Sequence, residues 1–113
     1  MTFKAFDVVV VPFPFTDRAA SKRRPALVLS DREAFNAKVG QSVLAMITSA
    51  AHSDWALDTK ITDLKAAGLP APSIARMKLF TIDHQLILRK AGSLGPKDRA
   101  AVTRSVRKLV RLA

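Results

Sequence analysis

Few side chains in this sequence can do chemistry on a bound molecule, and most of them are cations. Lys and Arg number 19 against 9 Asp and Glu, a formal net charge of +10, and Asp17, Arg18, Lys22, Arg23 and Arg24 crowd one polar segment with no apolar period. Guanidinium and ammonium groups clustered in this way attract phosphate and carboxylate oxygens, so a nucleic acid or an acidic protein is the expected partner. A basic surface that serves only solubility is the competing explanation. Histidine is the side-chain type whose ordinary titration lies near neutrality, and the chain has two, His52 and His84. His52 sits in a small polar segment just past Thr48, where it is a candidate base or ligand contact, whereas His84 falls inside an apolar strand pattern and reads as structural. The chain has no cysteine, which removes disulfides, thiolate nucleophiles and cysteine-ligated metals. Two separated histidines without an HExxH pattern give no metal site either.

What must hold these groups is a single core. At 113 residues, 49% hydrophobic and 25% charged, the chain is expected to form one domain over 1–113. The longest apolar stretch, 8–15, is broken by Pro12 and Pro14 and is far short of the ~20 residues of a membrane span. Charged Asp7, Asp17 and Arg18 around it do not suit a signal peptide, so a protein of the cytoplasm with no membrane partner is expected.

The β-branched run DVVVVPF predicts a strand at 7–13 buried on both faces, and 16–24 reads as a loop. Pro25 opens a second strand at 26–30, Asp31 caps a short helical turn through Asn36, and Gly40 marks the return. Further strands are expected at 43–48 and 55–61, a connection at 63–72, and one bent strand or two across 73–88. Gly95 and Pro96 place a cap and first residue of a helix, Asp98 suits its first turn, and Val102, Val106, Leu109, Val110 and Ala113 form its apolar stripe. Five or so short strands and one closing helix predict a mainly β (α+β) fold, a small SH3-like antiparallel β-barrel with a C-terminal helix. Such a barrel does not by itself decide function.

The segments DVVVVPFPFTD, SKRRPALVLS, VLAMITS and SIARMKLFTID, in this order and spacing, resemble the MazF/PemK (Kid) toxins of type II toxin-antitoxin systems over nearly the whole chain. The most specific piece is Arg24-Pro25 opening the second strand together with Thr48 closing the third. The resemblance implies a CcdB/Kid/MazF-like barrel and a metal-independent, cofactor-free endoribonuclease. Such an enzyme is sequence-specific: it cuts single-stranded messenger RNA at short sequences and leaves a 2′,3′-cyclic phosphate and a 5′-hydroxyl. It also implies a homodimer and a cognate antitoxin with an acidic tail.

Carried over by position, Arg24 and Thr48 match the family's catalytic arginine and threonine, and Arg76 matches a further arginine of related toxins. Arg24 suits stabilisation of the transition-state phosphate better than proton donation, because a guanidinium is a sluggish acid. The Thr48 hydroxyl either donates to a phosphoryl oxygen or only finishes a strand. Around this pair the expected RNA contacts are Lys22, Arg23, Thr16 and Asp17 on one side, and Ser49 and His52 on the other. Arg76, Lys78 and Phe15, the last able to stack on a base, complete the set.

Two positions depart from the family. Phe6 stands where a glycine commonly precedes the first strand's aspartate, a change expected to alter only a turn. Lys78 stands where the Kid-like branch has an aspartate two residues after the later arginine, so a proton acceptor at that position is missing. Lys78 keeps open a second reading, a non-catalytic nucleic-acid-binding or gyrase-binding toxin of the same barrel family. A ribosome- or chromatin-associated structural protein is a third.

Overall fold

Four consecutive valines after Asp7 decide how the sheet is packed. Successive side chains of a strand point to opposite faces, so Val8 and Val9 enter two different apolar clusters, and β1 (Asp7–Phe13) is buried on both sides. The computed structural model describes residues 2–13, 22–52 and 54–112. Phe15, Thr16, Asp17 and Arg18 lie outside the described residues.

After β1 come β2 (Lys22–Val28), a helical turn at Arg32–Asn36 that runs into α1 (Ala37–Val39), and β3 (Gln41–Ser49). Then follow β4 (Thr59–Lys60), α2 (Leu64–Ala67), β5 (Ser73–Asp83), a 3-10 turn at His84–Leu86, β6 (Arg89–Ser93) and α3 (Pro96–Leu109). Among the described residues, six strands form one antiparallel sheet in the order β4-β5-β3-β2-β1-β6. The sheet curls into a half-barrel with α3 packed on it, the mainly β architecture that the sequence predicts.

Cross-strand register explains the two cores. Val8 pairs with Leu27 and Leu27 with Ala45, so three fully buried side chains stand in a row on one face, which Val102 of α3 joins. Val9 pairs with Ala26 and Val28 with Leu44 on the other face, where Phe3, Ile82 and Ile87 complete the cluster. Each fully buried Val or Leu contributes about 2 kcal/mol. His84 edges this second core: its Nε2 lies 2.7 Å from the Ser42 hydroxyl, and its ring meets Phe3 edge-on at 5.4 Å. Burial holds its pKa below the ordinary imidazole value.

β4 and β6 are the sheet's two edges, and α2, which follows β4, packs on β6. The contact is backbone to backbone, since a Cβ on Gly68 would collide with the Ala91 carbonyl and one on Gly92 with the Ala66 carbonyl. Gly68 also caps α2 at φ 70°, a conformation that glycine alone adopts freely.

Several elements differ from the sequence expectation. The segment expected as a loop to residue 24 is already strand at Lys22, because β1 continues past its core-facing valines and pairs Phe13 with Lys22, Pro12 with Arg23 and Val11 with Arg24. The strand expected at 55–61 shrinks to Thr59–Lys60, preceded by a turn with Leu57 at φ 66°. The connection at 63–72 contains α2, capped by Asp63, whose Oδ1 accepts from the Ala66 amide at 3.0 Å. The stretch 73–88 is strand only to Asp83, and β6 lies beyond it. The apolar stripe expected to reach Ala113 ends as helix at Leu109.

The turn before β1 is costlier than the sequence suggested. Phe6 has φ 73°, while its half-buried ring packs on the first core. An L-residue in this region costs about 1 kcal/mol that glycine does not. Phe6→Gly removes the packing and the strain together, whereas Phe6→Ala removes only the packing. The glycine variant is therefore expected to be about 1 kcal/mol more stable than the alanine variant in urea unfolding, the reverse of the usual order. An alanine variant equal to or better than glycine would disprove backbone strain at this position.

Candidate active site

Arg24 and Thr48 stand 24 residues apart in sequence. The β2–β3 pairing ends at Ala26 and Met46, and just beyond it Arg24 of β2 and Thr48 of β3 border the same opening in the sheet. Both side chains line a cleft of about 470 Å³. Lys22, Arg23 and Pro25 share its β2 wall, while Thr48, Ser49 and His52 form the β3 wall. The segment from Leu69 to Pro72 supplies a largely apolar part of the lining.

The Arg24 guanidinium lies over the Phe13 ring, its Cζ 4.6 Å from the ring centroid. Its Nε is buried and no described atom accepts from it. A stacked guanidinium with an unused donor keeps its fork geometry and has little to give up when an anion arrives. Thr48 Oγ1 lies 2.6 Å from His52 Nδ1. A tight turn sets this contact: the His52 amide donates to the Ser49 carbonyl at 3.1 Å, and the Ala51 amide to Ser49 Oγ at 3.2 Å. Ser49 thus shapes the turn as well as lining the cleft.

Arg76 and Lys78 are held elsewhere. Arg76 grips Asp58 with both Nε (3.1 Å) and Nη2 (2.9 Å), and Asp58 also accepts from the Trp55 amide at 3.0 Å. The Arg76 hydrogen bond holds the Asp58 carboxyl below the usual carboxylate range. Lys78 lies over the exposed Trp55 ring, its Nζ 4.5 Å from the centroid. Lys78 sits in a bulge: Met46 pairs with Arg76 but Ala45 with Leu79, so Met77 and Lys78 are extra residues on β5. The structure thus gathers Lys22, Arg23, Arg24, Thr48, Ser49 and His52, and leaves Arg76 and Lys78 in a second basic cluster around Trp55. Sequence reasoning missed Asp58 and the apolar wall from Leu69 to Pro72, and no spacing signal marks either.

Residues 4–110 match the family model described as PemK-like, MazF-like toxin of type II toxin-antitoxin system. The chain belongs to this family. Among solved structures, this MazF-like toxin is similar to the MazE-MazF complex from Deinococcus radiodurans, with TM-score 0.77 at 20% identity and 100% of each chain covered. It is similar to Mycobacterium tuberculosis toxin MazF-mt6, with TM-score 0.72 at 21% identity, covering 95% of this chain and 98% of that one. A mycobacterial endoribonuclease in complex with its cognate antitoxin gives TM-score 0.74 at 11% identity, covering 99% and 96%. At these identities the likeness is one of fold. No curated protein sequence matches the chain.

Proposed function

We propose that this toxin is a metal-independent endoribonuclease that cuts single-stranded messenger RNA by attack of a ribose 2′-hydroxyl on its own neighbouring phosphate. The observation that carries the reading is the convergence of Arg24 and Thr48 on one cation-lined cleft. The nucleophile belongs to the RNA, so the protein has to align it, stabilise a more negative transition state and move protons. The Arg24 fork fits two phosphate oxygens, and a Thr48 hydroxyl can donate to one. Lys22 and Arg23 extend the positive field along the strand, and the apolar wall from Leu69 to Pro72 gives a base a dry surface.

The same reading takes residues 1–113 as a single toxin domain acting in the cytoplasm, where messenger RNA is found. A net charge of +10 suits an acidic antitoxin covering this cleft, as the antitoxin-bound relatives suggest, and a homodimer fits the family and the twofold habit of small proteins.

The test is to incubate purified protein with a long unstructured RNA of mixed sequence in EDTA and identify the new termini. Cyclic 2′,3′-phosphate and 5′-hydroxyl ends are the expected result. Salt-dependent RNA binding or gyrase inhibition by folded protein, without such ends, would instead establish a non-catalytic toxin, a reading favoured by the lack of any Asp or Glu among the described residues lining the cleft.

A further inference from the structure

Cleavage by a 2′-hydroxyl needs a group to take its proton, and among the described residues that line the cleft one imidazole is placed to do so. Among the described residues that line it, Lys22, Arg23 and Arg24 are cations and Thr48, Ser49 and Ser73 are alcohols, with no carboxylate. Ammonium and guanidinium groups ordinarily hold their protons at neutral pH, and alcohols are weaker bases still. Of these described residues, the one with a neutral ring nitrogen to offer is His52, whose exposed imidazole lies 2.6 Å from Thr48 Oγ1.

We propose that His52 is the general base of this toxin, with its ring oriented by Thr48. The proposal rests on the endoribonuclease reading above. Nδ1–H donates to Thr48 Oγ1, which leaves the Nε2 lone pair free and turns the threonine's own proton outward to a phosphate oxygen. One hydrogen bond therefore sets both the base and the phosphate donor. The turn built by Ser49 fixes the ring, because the His52 amide and the Ala51 amide are both tied to that residue. A second backbone bond, from the Ala50 amide to the Pro72 carbonyl at 3.1 Å, ties the turn to the segment from Leu69 to Pro72.

In the step itself, Nε2 takes the 2′-hydroxyl proton as the O2′–P bond forms. The P–O5′ bond breaks with its electron pair on the 5′ oxygen, which takes a proton from water. The hydroxide left behind is neutralised by the imidazolium proton, so His52 returns to its starting form and no other reagent is consumed. Arg24 holds the phosphate oxygens throughout. Lys78 takes no part in this step, since it lies on the Trp55 ring rather than in the cleft.

The experiment compares wild type, His52→Ala and His52→Gly in single-turnover cleavage of a long mixed-sequence RNA in EDTA, at saturating enzyme. Binding is measured separately on the same RNA with 2′-deoxy linkages, which cannot be cut. Because the ring is exposed, both variants should keep the wild-type circular dichroism spectrum. The expected result is a rate at saturation lower by about 10²- to 10⁴-fold, affinity within about 3-fold of wild type, and partial recovery of the His52→Gly rate on adding imidazole. A variant that cuts within about 3-fold of wild type, or that loses affinity while its saturated rate is unchanged, would overturn the base assignment and leave the endoribonuclease reading intact. Wild-type protein that binds the deoxy RNA yet makes no cyclic phosphate from the cleavable one would overturn both.

Discussion

Arg24→Ala is expected to lower the saturated cleavage rate by about 10³-fold while barely changing the stability of the toxin. The two effects separate because of how the side chain is held. Its contact with Phe13 is a cation-ring stack at 4.6 Å, of a kind that contributes about 0.5–1 kcal/mol, and its buried Nε has no described partner to leave stranded. Removing the guanidinium therefore costs the fold little and, on the proposed endoribonuclease reading, takes away the fork that would hold the phosphate. Arg24→Lys keeps the charge without the planar pair of donors and is expected to recover only a small part of the rate. Quench-flow rates paired with urea unfolding provide the check. An alanine variant that cleaves at a wild-type rate, or whose loss of activity tracks a loss of folded protein, would remove Arg24 from the chemistry.

The largest stability effect is expected at Asp98, far from the cleft. Its carboxylate, 1% exposed, accepts from the Thr62 amide (3.0 Å), the Thr62 hydroxyl (2.7 Å) and the Asp63 amide (2.9 Å), tying the first turn of α3 to the link between β4 and α2. Asp98→Ala leaves three donors without their acceptor, a cost of about 3 kcal/mol. Burial works against the ionised form, but hydrogen bonds from Asp63 and Thr62 outweigh it, and the pKa lies below its ordinary value. A carboxylate whose folded pKa is depressed stabilises the protein above its unfolded pKa and loses that contribution as pH falls through the folded value. The deficit of Asp98→Ala should therefore be full at pH 7 and shrink below about pH 4. Urea unfolding at a series of pH values measures it, and a deficit that does not vary with pH would mean that the side chain's volume, not its charge, matters.

Much of the scaffold was legible in the chain. The valine run of β1, the apolar run of β3 and the stripe of α3 carry strong periods or dense β-branching, and each forms the expected element. Short elements were legible only in part. The alternation at 55–61 marked a strand that survives as Thr59–Lys60, four-residue α2 buries too little to leave a pattern, and β6 (RKAGS) has almost no apolar side chain of its own. Their places come from partners: β6 from pairing with β1, and α2 from glycines that allow backbone contact.

The same distinction applies to the cleft. Residue types and their order determined that a basic segment and a hydroxyl-imidazole segment exist and that they resemble one toxin family. Only the tertiary structure decided that Lys22 to Arg24 are strand, that Arg24 and Thr48 line one cleft, that His52 turns back on that threonine, and that Lys78, an extra residue of the β5 bulge, lies on Trp55. Hydrophobic periodicity records burial, and a strand that lines an open cleft buries little there, so its position is written in the register of its neighbours instead.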